Sequence, residues 1–414
     1  MTKSLLVFSL LFVILNSGAT ASIKYNPGQY ATLQNKFSQA DLLDVLKTPG
    51  LEGVQLRYTW KSIETSEGVY DFSKIQFDLE IVSNAEKYMI VFFEDKSFVG
   101  GVRYTPEYLW EKYTVPSGLS MNGEEGFISK RWDDFVVRKI SDLMDAMARE
   151  FDNEPWFEGV AFQESAIGVN DSNLVKYEYT PEKYRDALIQ LLINMKSSFK
   201  SSQVFWYMNY LAKKQDYIRN IANAIVPYNA IMGGPDILPD NSSLSRMTYP
   251  FYEEFKDKLT LFCSIQNDSY HHLHATEGYN TKFWTLEELL LWGRDYLHID
   301  YCFWNYSKWN FEEGAYTWYD AKPVILKYSN LATSVKPKPE ENKYKVYPNP
   351  GDGLFTVSSP VSGAGYEISV YDLTGKKICK KEFSRETETI DIRQMKAGMY
   401  LFRIEETCIY VIKN

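Results

Sequence analysis

The sequence predicts an α/β protein: a (β/α)8 TIM barrel followed by a small C-terminal all-β immunoglobulin-like sandwich. Three observations carry that reading. Residues 22–330 alternate short apolar strand-like runs with amphipathic helical stretches, about eight times over. Residues 344–414 alternate apolar and polar side chains between turn signals, the pattern of antiparallel strands. Between them TSVKPKPEENK, at 333–343, is rich in Pro, Lys and Glu and has no apolar period, as a linker should be. A length of 414 residues suits one large domain and one small one. The expected bounds are 1–21 for a leader, 22–330 for the barrel, 331–343 for the linker and 344–414 for the sandwich.

The leader reads as a secretory signal peptide. Lys3 gives it a positive start, Leu5 to Leu15 is apolar apart from one Ser, and Ala19-Thr20-Ala21 has the small-x-small form of a cleavage site. The apolar run is short for a ~30 Å hydrocarbon core, and no later stretch is long and apolar enough to span one. The expectation is an exported chain beginning near Ser22, with no transmembrane segment.

Within the barrel region the expected strands are 53–60, 88–95, 157–165, 203–210, 230–237, 259–268 and 298–306, with an earlier one near Tyr30 to Leu33. Helix-like segments lie at 134–151, 181–199, 212–225 and 284–296. No GxGxxG or GxxxxGK loop follows the first strand, which weakens a nucleotide-binding reading. With 45 basic against 54 acidic residues, the chain lacks the footprint of a nucleic-acid binder. Aromatic residues reach 16%, which suits either a large aromatic core or platforms for sugar rings. Cys263, Cys302, Cys379 and Cys408 lie in apolar strand-like runs without zinc spacing, so buried core positions are favoured over oxidised pairs.

In such a barrel the active site lies at the carboxyl ends of the strands. Those ends here are polar or aromatic: Arg57 and Trp60; Glu94, Asp95 and Lys96; Gln163 and Glu164; Asn209 and Tyr210; Asp236; Gln266 and Asp268; Trp304 and Asn305. Glycoside hydrolysis uses such a set. One carboxyl protonates the leaving oxygen, another attacks or activates water, and amides and rings hold the sugar.

Three segments carry a resemblance at this point: RYTWKSIETSEGVYDFSKIQFDL (57–79), FQES (162–165) and FWNY (303–306). Together they resemble the (β/α)8-barrel glycoside hydrolase superfamily. The resemblance implies Glu164 as general acid/base and Trp304 as the floor of a sugar subsite. It also implies a Glu nucleophile ending the seventh strand, where this chain has Gln266. An amide cannot take that role. The second carboxylate is then sought first at Asp236, which follows two glycines that permit close ligand approach. Asp268 and Glu94 stand in reserve. Two other readings stay open: a substrate that supplies its own nucleophile, and a barrel that binds glycans without cutting them.

Arg57, Trp60, Lys96, Gln163, Asn209, Tyr210, Gln266, His271, His272 and Trp304 are the expected substrate-binding residues. His271, His272 and His274 form a donor-rich loop with no evident metal partner. With Arg57, Lys96 and Arg103 that loop suggests a positive cleft for an anionic, for example sulfated fucan-like, polysaccharide. The insertion at 99–133, with Trp110 and Trp132, suggests an endo-acting cleft, with a capped exo pocket as the alternative. No metal or organic cofactor is implied. A polysaccharide lyase is a further alternative.

YPNPGDG (347–353), VYDLTGKKI (370–378) and MKAGMYLFRI (395–404), with a basic IKN end, resemble the type IX (Por) secretion sorting domain of Bacteroidota. That implies the type IX machinery as a partner, and secretion or surface attachment.

Overall fold

A computed structural model describes residues 23–119, 124–169, 174–211, 214–271, 283–309, 313–329, 344–359, 365–372, 376–383, 385–405 and 407–414. The expected leader and linker lie outside these residues, as does His272.

Eight parallel strands close into a ring. They are β1 (Gly28–Leu33), β2 (Gly53–Thr59), β3 (Tyr88–Glu94), β4 (Phe157–Phe162), β5 (Gln203–Tyr207), β6 (Ile231–Gly234), β7 (Leu261–Ile265) and β8 (Tyr301–Asn305). β8 pairs back onto β1, with Tyr301 beside Gly28 and Asn305 beside Thr32. Helices pack outside: α1 (Gln39–Leu46), α2 (Ser73–Asn84), α3 (Asp134–Phe151), α4 (Pro181–Ser198), α5 (Tyr217–Ile225), α6 (Tyr249–Phe255), α7 (Leu286–Tyr296) and α8 (Trp318–Lys327). The sequence explains several of their starts. Ser38 and Thr285 build capping boxes with Asp41 and Glu288, and Pro181 stands at the first turn of α4 behind its Thr180 cap.

Strand alternation sorts the side chains into two cores. Tyr30, Phe92, Phe205, Tyr207, Phe262, Tyr301 and Phe303 fill the barrel interior. Their rings meet edge-on, with centroids 4.5 Å apart for Tyr207 and Phe262 and 5.1 Å for Phe205 and Tyr301. Much of the aromatic surplus therefore packs the barrel. The opposite parity, including Leu56, Val91, Val160, Cys263, Cys302 and Trp304, faces the helices. Cys263 and Cys302 are free, buried and in register on adjacent strands. Cys379 is free and half-buried, and the side chain of Cys408 lies outside the described residues.

The C-terminal region forms two antiparallel sheets. β9 (Lys345–Tyr347), β10 (Leu354–Ser358) and β13 (Thr387–Asp391) make one, ordered 9-10-13. β11 (Tyr366–Asp372), β12 (Lys377–Phe383), β14 (Gly398–Ile404) and β15 (Thr407–Lys413) make the other, ordered 12-11-14-15. Phe355, Val357, Ile368, Val370, Phe402 and Val411 are fully buried between them.

Candidate active site

Strand ends and the loops after them bring polar side chains to the carboxyl mouth of the barrel. At its centre is Glu164, just beyond β4. Its Oε1 accepts from Lys96 Nζ at 3.0 Å and its Oε2 from Asn209 Nδ2 at 2.6 Å. Burial alone would push this carboxyl up. Lys96, Asn209 and the nearby Arg131 outweigh burial and hold it below its ordinary value, so it is ionised. The Lys96 ammonium also donates to the Ala166 carbonyl at 2.7 Å and lies 4.2 Å from the ring centre of Phe98.

Asp236, just past β6, has the opposite environment. It is half-buried, and its carboxyl has no hydrogen-bond partner among the described residues. Burial, reinforced by the charges of Asp268 and Glu164 and only partly offset by Arg57, pushes its carboxyl well above the usual range. One mouth thus holds a carboxyl bound by two donors and pulled down, and a carboxyl without such donors among the described residues and pushed up.

The two reserve carboxylates are placed differently. Glu94 is 2% exposed, with Arg57 Nη1 at 3.3 Å and Asn35 Nδ2 at 2.5 Å on its two oxygens. Burial raises it despite those partners. It is sealed beneath the mouth, where it anchors Arg57. Asp268 is exposed, on a short helical turn after β7.

Below Glu164 lies a buried scaffold. Arg131 pairs with Asp95, Nη2 to Oδ1 at 2.5 Å, both side chains wholly inaccessible, and donates to the Glu164 carbonyl at 2.5 Å. Ser129 adds a 2.5 Å bond to the same Asp95. Both donors come from the insertion after β3, whose hairpin Thr114–Leu119 and Glu125–Ser129 delivers them. Gln163 belongs to this scaffold and not to a sugar subsite. Its Oε1 accepts from the Asp95 and Lys96 amides at 3.2 and 2.9 Å, and its Nε2 donates to the Lys96 carbonyl at 3.0 Å. At 2% exposure, its amide is spent clipping β3 to β4.

Two expected platforms are corrected. Trp304 is fully buried, with Nε1 donating to Gln29 Oε1 at 3.1 Å. Alternation explains this: Asn305 points to the mouth, so Trp304 faces the helices. Trp60 is likewise fully buried and bonded to Glu64 at 2.6 Å. Neither ring face is open to a ligand. Tyr210, next to Asn209, is 44% exposed, and Trp309 is 79% exposed. The glycines before Asp236 also have another cause. A Cβ on Gly233 would lie 2.0 Å from the Phe262 carbonyl, so it serves close packing of β6 on β7, while one on Gly234 would lie 3.1 Å from the Tyr252 hydroxyl.

The expected cations are engaged. Arg57 pairs with Glu94, Lys96 with Glu164, and Arg103 stacks 3.8 Å from the Phe127 ring centre. Gln266 is half-buried, with its amide unbonded among the described residues. His271 is half-buried just past the Asn267–Tyr270 turn. No group of three or more potential metal ligands exists among the described residues.

Sequence reading missed Gln34, Asn35, Asn267 and Arg131. Gln34 donates to Asn305 Oδ1 at 3.1 Å, and Asn305 in turn donates to Asn267. The first pair directly follows β1, so a sharper end for that strand exposes them. Arg131 has no local signal, because its partners are distant in sequence.

Residues 345–413 match the family described as the secretion system C-terminal sorting domain. The chain is thereby marked for type IX export to the cell surface or extracellular space. No helix among the described residues is long and apolar enough to cross a membrane. No curated protein matches the chain. Among solved structures, it is similar to an endo-glycoceramidase II from Rhodococcus sp., at 10% identity over 88% of this chain and 96% of that one, TM-score 0.47. It is also similar to a β-galactosidase from the psychrophilic Marinomonas ef1, at 9% identity over 76% and 61%, TM-score 0.48. A GH5 protein from Streptomyces cattleya is similar at 10% identity over 74% and 80%, TM-score 0.48.

Proposed function

We propose that this exported chain is a glycoside hydrolase acting on a polysaccharide. The observation that carries the reading is the contrast between two carboxyls at one barrel mouth: Glu164 is gripped by Lys96 and Asn209, which pull it down, whereas Asp236 has no such donor among the described residues and burial pushes it up. Carboxyls pushed apart by their environments are how one site runs acid and base chemistry together. The roles follow. Asp236 donates its proton to the glycosidic oxygen as the bond breaks. Glu164 supplies the negative charge, attacking the anomeric carbon or drawing a proton from water. This assignment gives the proton to Asp236, and it supports Glu164 as the base or nucleophile of the pair. Asn209 and Lys96 fix Glu164, while Tyr210, 44% exposed, and the half-buried Gln266 amide are the proposed contacts to the sugar. No cofactor is needed for this chemistry.

For the substrate we infer a glycan chain, met by a mouth where Arg57 and Lys96 already face carboxylates. A sulfated, fucan-like polymer needs donors to spare. With Arg57 and Lys96 each neutralised by a partner, the expected preference is for neutral over sulfated chains. The assay is release of reducing ends from a panel of neutral, sulfated and uronic polysaccharides. The wild-type chain should shorten at least one member, and Glu164→Gln and Asp236→Asn should each lose that activity by about 10²-fold or more. The second reading, a glycan-binding barrel, is favoured by Gln266 alone. It would retard one polysaccharide in a gel without cleaving any.

A further inference from the structure

Each donor that grips Glu164 has an aromatic residue beside it. Lys96 Nζ, on Oε1, lies 4.2 Å from the ring centre of Phe98, and Tyr210 directly follows Asn209, on Oε2. Lys96 is buried, and its ammonium is spent on Glu164, on the Ala166 carbonyl and against the ring. Phe98 itself is 52% exposed, and its neighbour Val99 is exposed too. The ring covers the ammonium and still presents open apolar surface.

The backbone fixes that exposure. Ser97 N donates to the Phe127 carbonyl at 2.8 Å and Gly101 N to the Glu125 carbonyl at 3.0 Å, so the chain is tied to the hairpin strand Glu125–Ser129 on both sides of Phe98. The hairpin lies so close that a Cβ on Gly126 would be 2.1 Å from the Ser97 carbonyl. Ser97 Oγ also accepts from Val99 N at 3.0 Å. Tyr210 is tied likewise. Its amide donates to Asn209 Oδ1 at 2.8 Å, and Asn209 N donates to Ser165 Oγ at 2.8 Å. Apolar side chains held in water on a fixed frame mark a place where a ligand covers them.

We propose that Phe98 and Tyr210 form an aromatic subsite beside Glu164 that takes an uncharged pyranose ring. The proposal rests on the glycan-cleaving function above and names the sugar class at that bond. A pyranose with mainly equatorial hydroxyls has a C–H face that packs on an aromatic ring, and the phenol edge of Tyr210 meets its hydroxyls. Phe98 has no donor, Lys96 has none to spare, and Glu164 repels anions. A sulfate or carboxylate on that sugar would lose its water without gaining a partner.

The test is affinity electrophoresis of the full chain carrying Glu164→Gln, in gels cast with a β-1,4-glucan, a galactomannan, a xylan or a sulfated galactan. Adding Phe98→Ala or Phe98→Leu should weaken retention by a neutral polymer about fivefold, and Phe98→Trp should restore it. Leu keeps an apolar cover over Lys96 but removes the flat face, so it separates a sugar platform from a mere cover. Retention unchanged by Phe98→Leu, stronger retention by the sulfated polymer than by every neutral one, or no retention at all overturns the subsite. With Glu164 restored, Phe98→Leu should raise KM about fivefold and leave the acid limb of the pH profile in place. A shifted acid limb with KM unchanged makes Phe98 a cover for Lys96 and overturns the subsite. Neutral-polymer retention that Phe98→Leu weakens, with no cleavage by the wild-type chain, supports the subsite and overturns the hydrolase function instead.

Discussion

Both oxygens of Glu164 are occupied, one by an ammonium and one by an amide, whereas Asp236 has neither. That asymmetry sets the pH behaviour. Turnover needs Glu164 ionised and fails as pH falls through a value below its ordinary 4.5. It needs Asp236 protonated and fails as pH rises through a value well above the ordinary 3.8. A pH–rate profile on any cleaved glycan should be bell-shaped with limbs on those sides, and a profile flat across them contradicts the roles. The same shift predicts stability. Asp236 binds its proton more tightly folded than unfolded, so its contribution is present below pH 3.8 and is lost as pH rises through its folded pKa. Asp236→Asn should therefore raise stability at neutral pH by about 1 kcal/mol while removing turnover, measured by urea titration beside the assay. A destabilised variant would show that the carboxylate is compensated.

The insertion after β3 works through what it carries beneath the mouth. Its hairpin brings Ser129 and Arg131 to Asp95, and Arg131 reaches on to the backbone of Glu164. A buried pair deprived of one partner strands the other charge. Arg131→Met should cost about 3–5 kcal/mol by denaturant melt. The milder Gln163→Leu unclips β3 from β4 and should lower activity with a smaller stability loss, since Lys96 loses its backbone anchor. If Gln163→Leu leaves turnover and its pH profile unchanged, the clip does not position Glu164.

At the scale of the whole molecule, strand alternation made the barrel readable, because every β-run is short, apolar and followed by a helix or turn signal. The carboxyl-end rule then put Glu164, Asn209 and Asp236 just past strand ends, where the structure also has them. It misjudged Trp304, because a one-residue step along a strand exchanges mouth for helix layer, and Trp60, which opens a short helical turn after β2 with its ring buried. Gln163 looked like a ligand donor until its amide proved to be spent on backbone. Arg131 was invisible, since its role is made entirely by long-range contacts. The free thiols predict that oxidants leave Cys263 and Cys302 unmodified in the folded chain, by mass spectrometry of intact protein. The most direct test of the central claim is a carbon-13 titration of the side-chain carboxyls, with Asp236→Asn and Glu164→Gln to assign the signals. The account predicts that Asp236 titrates well above the exposed aspartates and Glu164 below the exposed glutamates. Asp236 titrating among the ordinary aspartates, or Glu164 above it, would contradict the division of proton and charge on which the proposed hydrolysis rests.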